Sequence, residues 1–274
     1  STDVDSMLKD PVISTVVIAT QHCSHAKYVI DSLNCGKNVW VEKPLGLDRE
    51  SLASIETAYK NAHKKAGNSE SGPQLMVGFN RRFSPQIQKM YSLLANLDAP
   101  KSVIMTVNAG FIPKEHWTQD SLKGGGRIIG EGCHFIDLMR FLVGSKITSI
   151  NGQAMVSNSS RETLLDRSSI TLGFEDGSFG TILYLANGAS NFPKERIEVF
   201  AEGKVLQLDN FRKLSGFGWK NFKKMNLWSQ DKGQNACALA FIEAIKSGVP
   251  CIPIDEIFEV AYATIEANDI LLKN

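Results

Sequence analysis

Continuous apolar runs alternate with amphipathic segments in the first third of the chain. The runs TVVIAT (15–20), NVWV (38–41) and LMVGF (75–79) are typical of strands buried on both faces. Two segments with helical spacing separate them, and this order predicts right-handed crossovers in a parallel sheet. Their apolar stripes are Ala26, Val29, Ile30 and Leu33 in the first, and Leu52, Ile55, Tyr59 and Ala62 in the second.

Residues at the segment ends predict where these helices start and stop. Ser24 and Asp48 are placed to cap the two helices, and Gly36 supplies a left-handed stop to the first. Ser84-Pro85 predicts the start of a further helix, because proline suits the first helical position.

The pattern changes after about residue 80. A strand at 102–109 and a helix at 128–143 precede two hairpins, whose turns are predicted at Asp176-Gly177 and Glu202-Gly203, and helices at about 234–247 and 256–272 follow. The predicted fold class is α/β, with a partial Rossmann-type parallel sheet followed by an α+β domain with an open, mostly antiparallel sheet. We expect domains at 1–80 and 81–274.

Composition narrows the class of protein. A formal net charge of +1 gives no electrostatic case for a nucleic-acid or membrane partner. Five scattered cysteines without a C-x-x-C favour a reducing cytoplasm and argue against structural zinc. No apolar stretch is long enough for a membrane span, and the polar, acidic first ten residues do not resemble a signal peptide.

A dinucleotide-binding unit usually begins with a strand that runs into G-x-G-x-x-G, and no such motif precedes residue 80. We therefore expect that the chain starts midway through a Rossmann-type domain. On that expectation, the isolated chain binds a nicotinamide cofactor weakly or not at all.

Three polar stretches are candidates for chemistry. Glu42-Lys43-Pro44 ends a buried strand, either as a solvated cap or as a ligand-facing acid/base group. Thr20 and His22 end another strand, either as cofactor-facing groups or as part of an ordinary polar loop. The spacing of His22 and His25 can suit a metal ion, but the sequence offers no third ligand nearby.

Arg81 and Arg82 follow the third strand, where an arginine can meet a phosphate or carboxylate. The alternative, preferred for Arg82, is that they are solvated or bridge the domains.

The richest stretch is GGGRIIGEGCHFID (124–137), in which a glycine run lets the backbone approach a ligand closely. His134 and Asp137 are three residues apart and share a helix face, which suits a general acid/base pair. A buried core histidine is the alternative, although Glu131 is close by in sequence.

Read together, Glu42-Lys43-Pro44, the glycine-rich helix with His134 and the open-sheet second half resemble the glucose-fructose oxidoreductase / inositol dehydrogenase / rhizopine-catabolism (Gfo/Idh/MocA) family. Longer segments resemble the C-terminal half of bidomain oxidoreductases: GFNRRFSP, NAGFIPKEHW, GGGRIIGEGCHFIDLMRFL, NFPKERIEVF and LQLDNFRKL. The resemblance implies an NAD(P)-binding Rossmann domain and a second domain with an open sheet.

The resemblance also implies roles for individual residues. Lys43 would lie beside the nicotinamide and the substrate carbinol, and His134 would exchange the hydroxyl proton. Trp117 would face the substrate, as we expect of Arg81 and Asp137. The cofactor cleft would be lined by Thr20, His22, His25, Glu42 and Asn80.

One position departs from the family pattern. The family usually has an aspartate four residues before the histidine, where this chain has Gly130. Glu131 projects to the same broad side of the helix, so it is a candidate substitute.

The expected function is hydride transfer between NAD or NADP and a hydroxyl of a sugar, nucleotide sugar or cyclitol, with no metal. The alternative is a non-catalytic relative that acts as a sugar-binding or oligomer-assembly module. A homo-oligomer formed through the open sheet is expected in either case.

Overall fold

A computed structural model describes residues 3–67, 72–158 and 161–273. A three-stranded parallel sheet, in the order β1-β2-β3, forms its first part. Its strands are β1 (Thr15–Ile18), β2 (Asn38–Val41) and β3 (Leu75–Val77), and its helices are α1 (Val4–Lys9), α2 (His25–Asn34) and α3 (Arg49–Lys65). The predicted strand–helix–strand order is confirmed, although the first and third strands are shorter than expected. The prediction that the first strand is buried on both faces was wrong: β1 is an edge strand of the described sheet, its burial alternates along the chain, and Val17 is 67% exposed.

Most predicted helix ends are confirmed by their hydrogen bonds. Asp48 accepts from the Ser51 amide, and the Ser51 side chain completes a capping box at the start of α3. Ser84 caps α4 (Pro85–Leu94) by accepting from the Ile87 amide. The prediction for Ser24 was wrong: its hydroxyl donates back to the Gln21 carbonyl, because a 3-10 turn over His22–Ser24 precedes α2.

An eight-stranded mixed sheet forms the second part, in the order β11-β10-β9-β8-β4-β7-β6-β5. The central strand β4 runs parallel to β7 and antiparallel to β8, and the remaining neighbours are antiparallel. The strands are β4 (Ser102–Asn108), β5 (Ile147–Val156), β6 (Thr163–Phe174), β7 (Phe179–Leu185), β8 (Glu195–Ala201), β9 (Lys204–Asp209), β10 (Lys213–Phe217) and β11 (Lys224–Asn226).

Both predicted hairpins are present in this sheet. Gly177 lies in the β6–β7 turn with φ +81°, and Glu202 and Gly203 have φ +48° and +68° between β8 and β9. The left-handed region suits glycine, which explains the strength of these turn signals. Strand β5 was not predicted, because most of its side chains are exposed or half-buried and give little hydrophobic pattern.

Helix α5 (Cys133–Val143) is buried at nearly every position and is entered through a π-helical turn at Ile128–Gly132. It packs against α4, β7 and α7 (Ile254–Lys273), while α6 (Gln234–Ser247) contacts the 3-10 turn Asn80–Phe83. One hydrophobic core runs through both sheets. The domain boundary at residue 80 coincides with the start of that 3-10 turn and stays a prediction. Among the described residues, no helix combines the length and apolarity that a membrane span requires.

Candidate active site

A cavity of about 270 Å³ lies beyond the carboxyl end of β2, where the small sheet faces the start of α5. Ligands in open α/β sheets bind at this edge. Six of the predicted site residues line it: His22, Lys43, Arg81, Trp117, Glu131 and His134. A larger cavity of about 750 Å³ lies near the amino ends of β2 and β3, away from these groups.

Lys43 follows β2 after Glu42 and reaches across to the π-helical turn. Its Nζ donates to the Gly130 carbonyl oxygen at 2.7 Å, and it forms no salt bridge with any carboxylate in the described part of the chain. The ammonium is therefore anchored by a neutral acceptor and keeps further N–H donors for a ligand.

His134 lies in the first turn of α5 and is almost fully buried. Burial lowers its pKa well below the usual value, and the nearby charges of Arg81 and Lys43 lower it further, so the imidazole is neutral near pH 7. Its Nδ1 has no hydrogen-bond partner among the residues that the structure describes. His134 as a residue lines the cavity, and a buried imidazole nitrogen without a partner is uncommon in a folded protein.

The predicted pairing of His134 with Asp137 was wrong. Asp137 instead receives two hydrogen bonds from Arg82, from Nε at 3.1 Å and from Nη2 at 2.5 Å. Arg82 also bonds Glu256 on α7 at 3.2 Å, so it bridges three elements and is not solvated. Asp137 is not among the residues that line the cavity, and its role as a substrate residue stays a prediction.

Glu131 lines the cavity but does not pair with His134. Its Oε1 accepts from Lys194 at 2.6 Å, and its Oε2 accepts from Arg127 at 2.7 Å and from the Tyr184 hydroxyl. Burial raises the pKa of Glu131, but the Lys194 ammonium and these hydrogen bonds outweigh it and lower the pKa to about 2. A carboxylate held this way is a poor proton acceptor, which argues against Glu131 as the substitute base.

Arg81 is on the cavity wall and is already engaged. Its Nε and Nη2 both donate to the Glu195 carboxylate at 2.9 Å, and Lys232 donates to the same carboxylate at 2.6 Å. The Arg81 guanidinium therefore affects the electrostatic potential in the cavity, but its Nε and Nη2 donors are not free to bind a ligand.

The predicted cofactor residues fall into two groups. His22 lines the cavity, whereas His25 is fully buried and its two ring nitrogens lie 2.7 Å from the Pro44 carbonyl oxygen and 3.1 Å from that of Thr20. Because both nitrogens are used within the protein, His25 fixes the two strand ends and does not line a cofactor cleft.

Thr20, Glu42 and Asn80 do not line the cavity. They follow β1, β2 and β3 respectively, so they share the carboxyl edge of the parallel sheet. Asn80 donates to the Lys232 carbonyl oxygen at 2.8 Å, and the Thr20 hydroxyl bonds that of Ser24.

The glycine run serves mainly to pack two backbones together. A Cβ on Gly124 would lie 2.4 Å from Thr118 Cα, so only glycine lets this segment pack against the loop that carries Trp117. Gly126, with φ +77°, lines the cavity itself.

Sequence reasoning missed the groups that hold Glu131. Tyr184 lies on β7 and Lys194 just before β8, more than 50 residues away in the chain, and neither belongs to a local motif. Among the described residues, no group of three or more His, Cys, Asp or Glu side chains could hold a metal ion.

Comparison with known proteins defines the class. The model "Oxidoreductase family, NAD-binding Rossmann fold" matches residues 1–69, and "GFO/IDH/MocA C-terminal domain" matches residues 96–207. Together these two parts of one family cover most of the chain in the order that the fold shows. The chain belongs to the Gfo/Idh/MocA oxidoreductase family.

Individual relatives agree with this assignment. The chain is 26% identical to the oxidoreductase YrbE of Bacillus subtilis over 77% of its length and 60% of that protein's. It is 28% identical to the scyllo-inositol 2-dehydrogenase (NAD(+)) of the same organism over 66% and 51%. The match thus spans between half and three fifths of these relatives.

A solved structure of levoglucosan dehydrogenase in complex with NADH and levoglucosan has the same fold, with a TM-score of 0.82 at 19% identity. It matches 100% of this chain and 82% of that chain.

Proposed function

We propose that the protein is an NAD(P)-dependent oxidoreductase that transfers a hydride between a nicotinamide cofactor and a hydroxyl of a sugar or cyclitol. The observation that carries this proposal is the convergence of Lys43 and His134 on one cavity at the carboxyl edge of the parallel sheet. Oxidation of an alcohol needs a hydride acceptor and a proton acceptor close to one carbinol group, and Lys43 with His134 can supply the proton acceptor.

The residues present fit a nicotinamide nucleotide at this edge. The unpaired Nδ1 of buried His134 and the free donors of Lys43 are polar groups that the protein leaves without internal partners. Thr20, Glu42 and Asn80, at the ends of the three parallel strands, are the residues that would hold the cofactor. When bound, the nicotinamide ring accepts or returns the hydride.

The side chains have separate roles in this proposal. Lys43, held by the Gly130 carbonyl, donates to the hydroxyl oxygen and stabilises the negative charge that develops on it. His134 is neutral because of burial and the nearby cations, so it takes the hydroxyl proton during oxidation and returns it during reduction. Glu131 stays ionised, fixes Arg127 on the cavity wall and pairs with Lys194.

The substrate class rests on the relatives, whose names include inositol and levoglucosan dehydrogenases. A cavity of about 270 Å³ between Trp117 and polar side chains suits a single sugar or cyclitol ring. The five free cysteines favour a reducing compartment, so we propose a cytoplasmic location.

We also propose a homo-oligomer formed through the open face of the large sheet. Ile104, Phe179 and Phe200 lie on neighbouring strands and are 40%, 54% and 40% exposed. A second copy would cover this apolar surface. Sedimentation of the protein and of the Phe179→Asp variant tests this, because the charge should shift the assembly toward the monomer.

The experiment that tests the activity has two parts. Titration of the full-length protein into NADH and NADPH should change the nicotinamide fluorescence of at least one. Reduction of NAD(P)⁺ at 340 nm should then be detectable with scyllo-inositol, myo-inositol or levoglucosan. His134→Ala should slow turnover about 10²–10⁴-fold, and Lys43→Met should also slow it strongly. Lys60→Met, which removes a surface lysine paired only with Glu56, is the matched control.

A second candidate function is a non-catalytic sugar-binding or assembly module. It is favoured by Gly130, since the family pattern has an aspartate at this position, and the two carboxylates nearest to His134 in sequence, Glu131 and Asp137, are engaged by Lys194 and Arg82. If the protein binds neither NADH nor NADPH, the dehydrogenase proposal is wrong and the second candidate function is favoured.

A further inference from the structure

His22 is the one imidazole on the cavity whose tautomer is defined by its contacts. Its Nδ1 lies 2.7 Å from the Gly124 carbonyl oxygen, which only accepts hydrogen bonds, so Nδ1 carries the proton. Burial lowers the pKa of His22 to about 4, with a contribution from the nearby Lys43, so the ring is neutral near pH 7. The lone pair therefore lies on Nε2, for which the structure gives no donor among the described residues.

The ring is held firmly in this orientation. Trp117 packs edge-on against it with ring centroids 4.8 Å apart, and the Gly124 hydrogen bond fixes its rotation. The 3-10 turn after β1 sets its backbone. A polar atom fixed by packing and by a second hydrogen bond is already oriented for a ligand before the ligand binds.

Gly130 explains how the imidazole reaches the catalytic groups. A Cβ at position 130 would lie 3.1 Å from His22 Cε1, the ring atom between the two nitrogens, and 3.5 Å from Nδ1, so the imidazole packs closely against Gly130 and a side chain there would have to displace it slightly. The carbonyl of the same Gly130 accepts the hydrogen bond from Lys43 Nζ. His22 and Lys43 thus both lie against Gly130.

We infer that His22 is a substrate-binding residue, whose Nε2 accepts a hydrogen bond from a second hydroxyl of the substrate, next to the hydroxyl served by Lys43 and His134. The inference rests on the proposed function and narrows its substrate class to polyols with adjacent hydroxyl groups. A neutral acceptor recognises a hydroxyl donor, and a ligand without that hydroxyl leaves Nε2 desolvated and unpaired.

Two variants separate this role from a structural one. His22→Asn keeps a donor for the Gly124 carbonyl and removes the distal acceptor. His22→Gln places an amide oxygen near the position of Nε2. In the full-length protein, Asn should raise the KM for the best of scyllo-inositol, myo-inositol and levoglucosan about five- to tenfold, and Gln should raise it less than threefold. Equal KM values for Asn and wild type, or a larger loss for Gln than for Asn, would overturn the inference.

Nuclear magnetic resonance makes the test independent of turnover. In ¹⁵N-histidine-labelled protein at pH 7, the His22 signals, assigned by their loss in His22→Asn, should show a proton on Nδ1 and none on Nε2. Saturation with one of the three polyols should shift the Nε2 resonance. A proton on Nε2, or an unshifted resonance with all three polyols, overturns the inference. A shift without any NAD(P)⁺ reduction supports the inference and instead contradicts the proposed dehydrogenase activity.

Discussion

Replacement of His22 should make the protein more resistant to acid. In the folded protein, burial lowers the pKa of His22 from 6.5 to about 4. As the pH falls, His22 therefore becomes protonated near pH 6.5 in the unfolded chain but only near pH 4 in the folded protein. The stability that the neutral imidazole contributes is present above pH 6.5 and is lost as the pH falls through this window.

The size of the effect follows from these two pKa values. At pH 5 an unfolded-state pKa of 6.5 and a folded-state pKa of about 4 correspond to a loss of about 2 kcal/mol. The stabilising contribution of Glu131, whose pKa is lowered to about 2, changes little between pH 7.5 and pH 5, so this range separates the histidine from the carboxylate. His22→Asn retains a donor to Gly124 and lacks the titration.

Urea unfolding at pH 7.5 and pH 5, followed by tryptophan fluorescence, measures the difference. Between these pH values the wild type should lose about 2 kcal/mol more than His22→Asn. His116→Asn serves as the matched removal of an exposed imidazole. Equal losses in the wild type and His22→Asn would show that the folded protein binds a proton on His22 as readily as the unfolded chain does, and the lowered pKa of this imidazole would be wrong.

Three further changes test the interior of the molecule, each by the free energy of unfolding in urea. Arg82→Met leaves Asp137 buried and unpaired and should cost about 3–5 kcal/mol. The double variant Arg82→Met/Asp137→Leu should recover part of this loss, and equal losses in the single and double variants would contradict the pairing. Asp48→Ala removes the capping box of α3 and should cost about 1 kcal/mol, with exposed Glu50→Ala as the control. Glu131→Gln weakens the bonds to Lys194 and Arg127 and should cost about 1–3 kcal/mol; unchanged stability would return Glu131 to the role of a catalytic substitute.

The elements that sequence reasoning found share a local cause. TVVIAT and NVWV contain the whole apolar pattern of a strand within a few residues, and Asp48 and Ser84 each cap a helix through the amide three residues farther on. Lys43 and His134 were found in the same way, because a charged residue after a buried strand and a histidine after a glycine run are local signals. Both line the cavity.

The partners of these residues could not be read from the chain. Asp137 is one helical turn from His134, yet it pairs with Arg82, because a guanidinium from the 3-10 turn after β3 approaches that side of α5. Glu131 likewise contacts Tyr184 on β7 and Lys194 just before β8, and the pairing of both strands with β4 places these two residues near each other. Spacing along one helix shows which residues share a face, and tertiary packing decides which of them meet.

The parallel contact between β4 and β7 also sets an order for assembly. Strand β4, at 102–108, has as neighbours only β7, at 179–185, and β8, at 195–201. It must therefore remain unpaired until chain more than 70 residues farther on has folded back, and closing so long a loop costs entropy before any contact repays it. Helices α2 and α3, with β1–β3, need no such closure and can form while the second half is still being synthesised. The cavity, whose far wall is α5, is completed only when the two halves meet, so binding competence should be the last property that the folding chain acquires.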